Sequence, residues 1–195
     1  MDARHTVITD RLTKEKYVRH LLIPLLFAIT LLCQASISEA GILMQIPGVQ
    51  GESTVPNHAG WIELESVNWG HGETPPGAPV KIQFARVTGT KQSDSVSATL
   101  ALFGASGQLI KDVKIEFTTS IGNSIVVTSR IKLTNARLTT YQASAHESSI
   151  PIESLSFSFD SITWINFKIS PQGQQLPGSA ACWDLPGNKP CQASF

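Results

Sequence analysis

The stretch Gly60-Trp61-Ile62-Glu63-Leu64-Glu65-Ser66-Val67-Asn68-Trp69-Gly70 alternates apolar and polar residues, the pattern of a half-buried β-strand, and a glycine closes it at each end. The alternation slips once. Ile62 and Leu64 are even-numbered, whereas Val67 and Trp69 are odd, so the spacing predicts a bulge near Glu65-Ser66 that brings both sets onto one core. Ahead of the strand, Gly51-Glu52-Ser53-Thr54 opens a loop to Gly60 in which Pro56 and Asn57 favour a turn and His58 is expected to be exposed.

The rest of the chain can be read against this strand. Ile42 to Pro47 is a short apolar run that stops at Pro47-Gly48, as a first strand would. Gly70 to Pro79 holds three glycines and three prolines and reads as a long projecting loop, a kind of segment that more often carries function than merely connects. Val80 to Val87 alternates again and is expected to be one strand. Ser93 to Gly104 fits either a strand or a helical face. Asp94 as an N-cap, an alanine- and leucine-rich interior and Gly107 as a terminator favour a short helix.

Leu109 to Phe117 and Ile125 to Leu133 read as a hairpin about Gly122-Asn123-Ser124. A one-residue slip between Leu133 and Leu138 predicts an extension or bend of the second strand toward Tyr141. Ile152 to Phe159 and Ile162 to Ile169 form the last alternating pair. Asp160-Ser161 either joins them tightly or kinks a single strand. From Ser170 onward the prolines and glycines predict an irregular tail. The expectation is a mainly β, antiparallel fold with at most one helix, in a small barrel or sandwich.

The first forty residues have a different character. Arg11, Lys14, Lys16 and Arg19 precede the apolar run Leu21 to Cys33, and Ser38-Glu39-Ala40 supplies small residues at the two positions a signal peptidase reads. The run is shorter than the roughly twenty residues a spanning helix needs and contains Pro24. A signal peptide over 1–40, removed after Ala40, is therefore expected, with an uncleaved N-terminal membrane anchor as the alternative. Beyond Ala40, ten Lys and Arg face eleven Asp and Glu, so nothing points to nucleic acid or to a basic membrane patch. Cys182 and Cys191 flank Pro186-Gly187, a turn-forming pair, and in an exported chain they are expected to form a disulfide. Metal binding by the two is the weaker alternative.

No catalytic or metal site emerges. The chain has no nucleophile elbow, phosphate loop or paired-histidine spacing, and His58, His71 and His146 stand isolated in loop-like segments. Glu63 and Glu65 alternate with apolar neighbours as residues on a solvated sheet face do. Glu153 is the remaining acid–base candidate. Trp61, Trp69 and Trp164 can stack a ligand, although core packing is the commoner role of such residues. No cofactor is expected.

Gly48-Val49-Gln50-Gly51-Glu52-Ser53, then Gly60-Trp61-Ile62-Glu63-Leu64 and Trp69-Gly70, resemble the haemolysin-coregulated protein (Hcp) family, tube-forming proteins of the bacterial type VI secretion system. Near the other end Pro151-Ile152-Glu153-Ser154-Leu155-Ser156-Phe157, with Ile162 and Trp164, continues the resemblance in the family's order and spacing. The resemblance implies a small antiparallel β-barrel of two packed sheets with one short helix over 41–170. It also implies a structural, non-enzymatic role in which protomers form hexameric rings that stack and carry effectors. The expected partners are further copies of the chain and secretion components or cargo, with no nucleic acid, and a membrane only through an uncleaved leader.

The motif residues implied are Gly51, Glu52, Ser53, Trp61, Ile62, Trp69, Gly70, Glu153, Ser154, Phe157 and Trp164. The loop carrying His71, Gly72, Glu73, Thr74, Pro75 and Pro76 matches the family's extended loop and is the candidate ring contact. The leader and the cysteine pair depart from typical family members, which are leaderless. The second hypothesis is an exported monomeric binding module that uses the loops around Trp61 and His71 for a ligand or protein partner.

Overall fold

Alternating segments fold here as strands, and the one-residue slips between them become corners. The computed structural model describes residues 40–73, 82–122 and 124–195, so the expected leader lies outside the described residues except for Ala40. The strands are β1 (Ile42–Gln45), β2 (Ile62–Leu64), β3 (Ser66–Asn68), β4 (His71–Glu73), β5 (Ile82–Phe84) and β6 (Val87–Gln92). After helix α1 (Ser97–Ser106) come β7 (Ile110–Ile121), β8 (Ser124–Ser144), β9 (Ile152–Ser158), β10 (Ser161–Ile169), β11 (Gln175–Asp184) and β12 (Lys189–Pro190).

Two sheets share β8. The first runs β12-β11-β10-β8-β7-β1-β2, and the second runs β3-β6-β9 and joins the far half of β8. All pairings are antiparallel. The crossing occurs at Asn135, whose φ of 52° is the left-handed conformation that asparagine tolerates best after glycine. Before it, Ile131 and Leu133 point into the core. After it Ala136 and Leu138 do, which is the slip seen in the sequence. Asn135 Nδ2 donates to Asp160 Oδ2 at 3.0 Å, tying the corner to the tight β9–β10 turn.

The slip at Glu65 works in the same way. β2 pairs with β1, whereas β3, one residue later, pairs with β6, and Glu65 N donates to Thr90 O at 2.8 Å. The two ends of the ladder are thus successive pieces of one stretch, connected through the backbone rather than by hydrogen bonds. The expected two packed antiparallel sheets with one short helix are present, but the ladder does not close on itself, so the barrel is open. Val67 reaches the core as expected. Trp69 does not. It is 45% exposed, with its ring 5.5 Å from Phe117, because β3 ends at Asn68 before the core face would recur.

The core draws Met44, Ile115, Ile131 and Leu133 from the first sheet and Val87, Leu138, Leu155 and Phe157 from the second, with Leu100 of α1 fully buried against them. The helix stops at Gly107, φ 63°, as predicted, but begins at Ser97 rather than next to Asp94. Asp94 caps a turn just ahead of it, accepting from Val96 N at 3.1 Å.

Two expectations fail for identifiable reasons. Val80 lies outside the described residues, and the remainder of the expected Val80–Val87 strand is two strands. Its second piece continues to Gln92 with Val87, Gly89 and Lys91 inward, an inner face too polar to read as a strand. The tail is not irregular: β11 pairs with β10 along most of its length. Its outer residues are exposed on both faces, so no apolar alternation marks it. Pro177 and Gly178 together oppose Phe167, in a bulge that disposes of the missing N–H. A Cβ on Gly178 would fall 1.9 Å from the Asn166 carbonyl oxygen, so only glycine fits there. Cys182 and Cys191 are joined in the expected disulfide.

Candidate functional site

The resemblance residues fall into two buried polar clusters and one exposed arm. The first cluster is built on the loop ahead of β2. Gly51 N donates to Gly60 O at 2.7 Å, Ser53 N to Trp61 O at 3.0 Å and Gly60 N to Ser53 O at 2.8 Å, so the loop folds back along its own exit. Gly51 makes this approach sterically feasible: a Cβ there would lie 2.3 Å from Trp61 O and 2.8 Å from Ile62 N. Gly51→Ala is expected to lower stability by about 1–3 kcal/mol through backbone displacement, read as a lower urea midpoint with unchanged slope. An unchanged midpoint would mean that the loop can spread without cost.

Glu52, between Gly51 and Ser53 in the loop, reaches Ser95, whose N–H donates to Glu52 Oε1 at 3.0 Å. The hydrogen bonds from Ser95 hold its carboxyl below the usual carboxylate range. It thereby anchors the turn before α1 to the loop. Ser53 is buried and accepts from Val55 N.

His58, expected to be exposed, is only 5% exposed. The loop closes over the outer face of the first sheet. There Nε2 lies 2.7 Å from Glu116 Oε2 and Nδ1 3.1 Å from Pro56 O, while the ring stands edge-on to Trp61 at 4.8 Å. Glu116 itself is buried, and Arg130 Nε sits 2.9 Å from its other oxygen as an ion-pair contact without hydrogen-bond alignment. The sequence carried no sign of this, because Glu116 alternates with Val113, Ile115 and Phe117 as a solvated residue would.

The second cluster centres on Glu153, the acid–base candidate. It is 1% exposed, in phase with Leu155 and Phe157 on the inner face of β9. Lys91 Nζ, equally buried, lies 3.0 Å from Glu153 Oε2, and also 2.7 Å from Asp94 Oδ1, 2.7 Å from Gln92 O and 3.2 Å from Ser97 Oγ. Tyr141 Oη donates to Glu153 Oε1 at 2.9 Å. Burial alone would raise the carboxyl pKa. The hydrogen bonds from Ser97, Lys91, Tyr141 and Ser93 outweigh it and hold Glu153 below its ordinary value. Tyr141 is pushed up to about 12 by burial and by its bond to that carboxylate.

Both Glu153 oxygens are engaged by groups that fasten β6, β8, β9 and the start of α1 to one another, which suits a fastener better than an acid or base awaiting a substrate. Lys91 and Tyr141 were missed in the sequence. The usable signal was a lysine and a glutamate each in phase with the apolar side of its own strand.

The other motif residues have packing roles. Ile62 and Phe157 are core residues, and Ser154 lies between Thr90 and Gln142 in register. Trp164 stacks on Phe84 at 5.9 Å, and Gly70 O accepts from Ala85 N at 2.9 Å. His71, Gly72 and Glu73 form β4, not a loop, paired only with β5 and exposed. Phe84, 5.1 Å from the His71 ring and stacked on Trp164, roots this arm in the core. Thr74, Pro75 and Pro76 of the candidate contact lie outside the described residues. Among the described residues no three His, Cys, Asp or Glu side chains converge to hold a metal.

With this geometry in place, comparison with known proteins is specific. A family model described as "Type VI secretion system effector, Hcp" matches residues 43–165. The fold is similar to a solved type six secretion system protein at 26% identity and TM-score 0.71, covering 78% of this chain and 100% of that one. It is also similar to Hcp1 from Salmonella typhimurium (20% identity, TM-score 0.62, 78% and 100% covered). A type VI secretion system effector from Yersinia pestis is similar as well (21%, 0.60, 73% and 98%). No curated protein matches the chain in sequence.

Proposed function

The chain belongs to the Hcp family of the type VI secretion system, and from that premise we propose that it is an exported, non-enzymatic subunit that assembles into hexameric rings able to stack and carry effectors. The observation that carries the reading is the family match across 43–165 together with the exposed β4–β5 arm, which pairs with neither sheet. A cyclic ring needs two different complementary patches on each protomer. The arm supplies one projecting patch, and the outer edge of β11, bonded to β12 only at Trp183 and Asp184, supplies an open strand edge on the same chain. The non-enzymatic reading is supported by the engagement of Glu153 and His58 in structural bonds on both sides.

Export rests on the leader over 1–40, cleaved after Ala40, and on the cysteine pair, which suits an oxidising compartment. Light scattering on the mature protein across a concentration series tests the assembly. A mass about six times the protomer's is expected. A monomer at every concentration would overturn the ring and favour the exported binding module. Export is tested by the secreted fraction with and without residues 1–40, in cells with and without a working secretion machine. Secretion that ignores the leader would overturn its role.

A further inference from the structure

The last five residues lie beyond the family match, yet they rest on a built surface. The outward side of β7 and β8 presents Lys114 directly opposite Lys132 in register, with Arg130 beside them. Two like charges across a strand pair disfavour each other, and among the described ion pairs neither lysine has a carboxylate partner. The segment after Cys191 covers them. Lys132 Nζ donates to Ser194 Oγ at 2.9 Å, and the Phe195 ring lies 4.9 Å from Lys114 Nζ and 4.8 Å from the Arg130 guanidinium. Arg130 is also 5.1 Å from Phe167, so the two aromatic rings share one cation.

Little else holds this segment. Among the described residues, Gln192 to Phe195 make no main-chain hydrogen bond. The last one is Cys191 N to Cys182 O at 3.0 Å, beside the disulfide. Contacts of the cation–π kind are individually weak at a surface, and they persist when a tether keeps the ring close to its cations. The tether is the disulfide, four residues before Phe195. Without it, the tail is anchored by the Cys191 N to Cys182 O hydrogen bond and by β12, two exposed residues of which Pro190 has no N–H to give.

We propose that the Cys182–Cys191 disulfide is a redox-controlled latch that straps Gln192–Phe195 across the cationic outer face formed by Lys114, Arg130 and Lys132. A dithiol reductant opens it. The S–S bond breaks, the two sulfurs take up two electrons and two protons to become thiols, and the dithiol closes to its own disulfide. In a reducing compartment the strap is loose and the cationic face open, and in an oxidising one it is fastened. Because Arg130 also touches Glu116, which binds His58, the strap bears on the side chain that borders the loop cluster.

Timed carboxypeptidase digestion of the exported protein, followed by intact mass, reads the release of Phe195. Reduction of the wild-type protein and the Cys191→Ser variant are each expected to speed release by about tenfold or more, with hydrogen exchange of the core strands unchanged. Lys114→Ala combined with Arg130→Ala is expected to speed release while the disulfide stays intact. Equal rates for oxidised and reduced protein would overturn the latch. So would acceleration that appears only alongside loss of core protection, since the disulfide would then be merely structural. An unchanged rate in the double variant would overturn the strapped face.

Discussion

Glu153→Ala is expected to destabilise the fold by about 3 kcal/mol, the low end for a broken buried ion pair, because Lys91 keeps Asp94 but loses the more deeply buried of its two carboxylates. Asp94 and Ser97 remain within reach of Lys91 but bear on the turn before α1, not on β9, so the side-chain tie between β6 and β9 is lost while their backbone ladder remains. Removing both charges should cost much less than removing one. Lys91→Met with Glu153→Leu is expected to recover most of the loss, leaving the unpaired Tyr141 hydroxyl as the residual cost. Urea midpoints of the two single variants and the double variant measure this. Additive losses would show that the pair does not act as a unit.

The same cluster sets a pH dependence with two limbs. Glu153 has a lowered pKa in the folded state, so its contribution is present above the unfolded carboxylate range and is lost as pH falls through the folded value. Tyr141 has the opposite sign. Its folded pKa is raised from 10.0 to about 12, so its contribution is full below pH 10.0 and is lost as pH rises toward 12. Tyr141→Phe is expected to flatten the alkaline limb and, because the Tyr141 bond is one of those that lower the Glu153 pKa, to shrink the acid limb without abolishing it.

Phe157→Ala is the second large effect, expected at about 3–5 kcal/mol. Phe157 is 2% exposed in a core shared with Val87 and Leu155, and it lies opposite Val87 on one side and Leu138 on the other in register. Truncation leaves a void that two paired strands cannot collapse into without breaking register. Trp69→Ala, by contrast, is expected to cost less than about 1 kcal/mol, since the ring is largely in solvent. Thermal or urea denaturation of both decides the matter. A Trp69 variant as damaged as the Phe157 variant would restore the sequence-based placement of Trp69 in the core.

Much of the sheet architecture was legible because alternation carries its own errors visibly. The slips at Glu65 and between Leu133 and Leu138 are two of the places where the chain passes from one sheet to the other, and both stand in the sequence as a change from even to odd or odd to even. β6 and β11 were hidden for opposite reasons. β6 buries a lysine and a glycine on its inner face, and β11 buries too little on either face. The clusters were hidden because their chemistry is long-range. Lys91 and Glu153 meet across 62 residues and His58 and Glu116 across 58, so each reads locally as an ordinary surface charge. Of the motif residues, Gly51 and Glu153 occupy mechanically constrained positions: a backbone approach at one and a charge-paired strand fastener at the other.

A protomer braced in this way, with an exposed arm and an open strand edge, is suited to repeated self-association. Class averages of negatively stained mature protein test that claim most directly. Annular particles with six-fold symmetry and an open centre are expected. Compact single-protomer particles, or closed two-fold dimers, would contradict it.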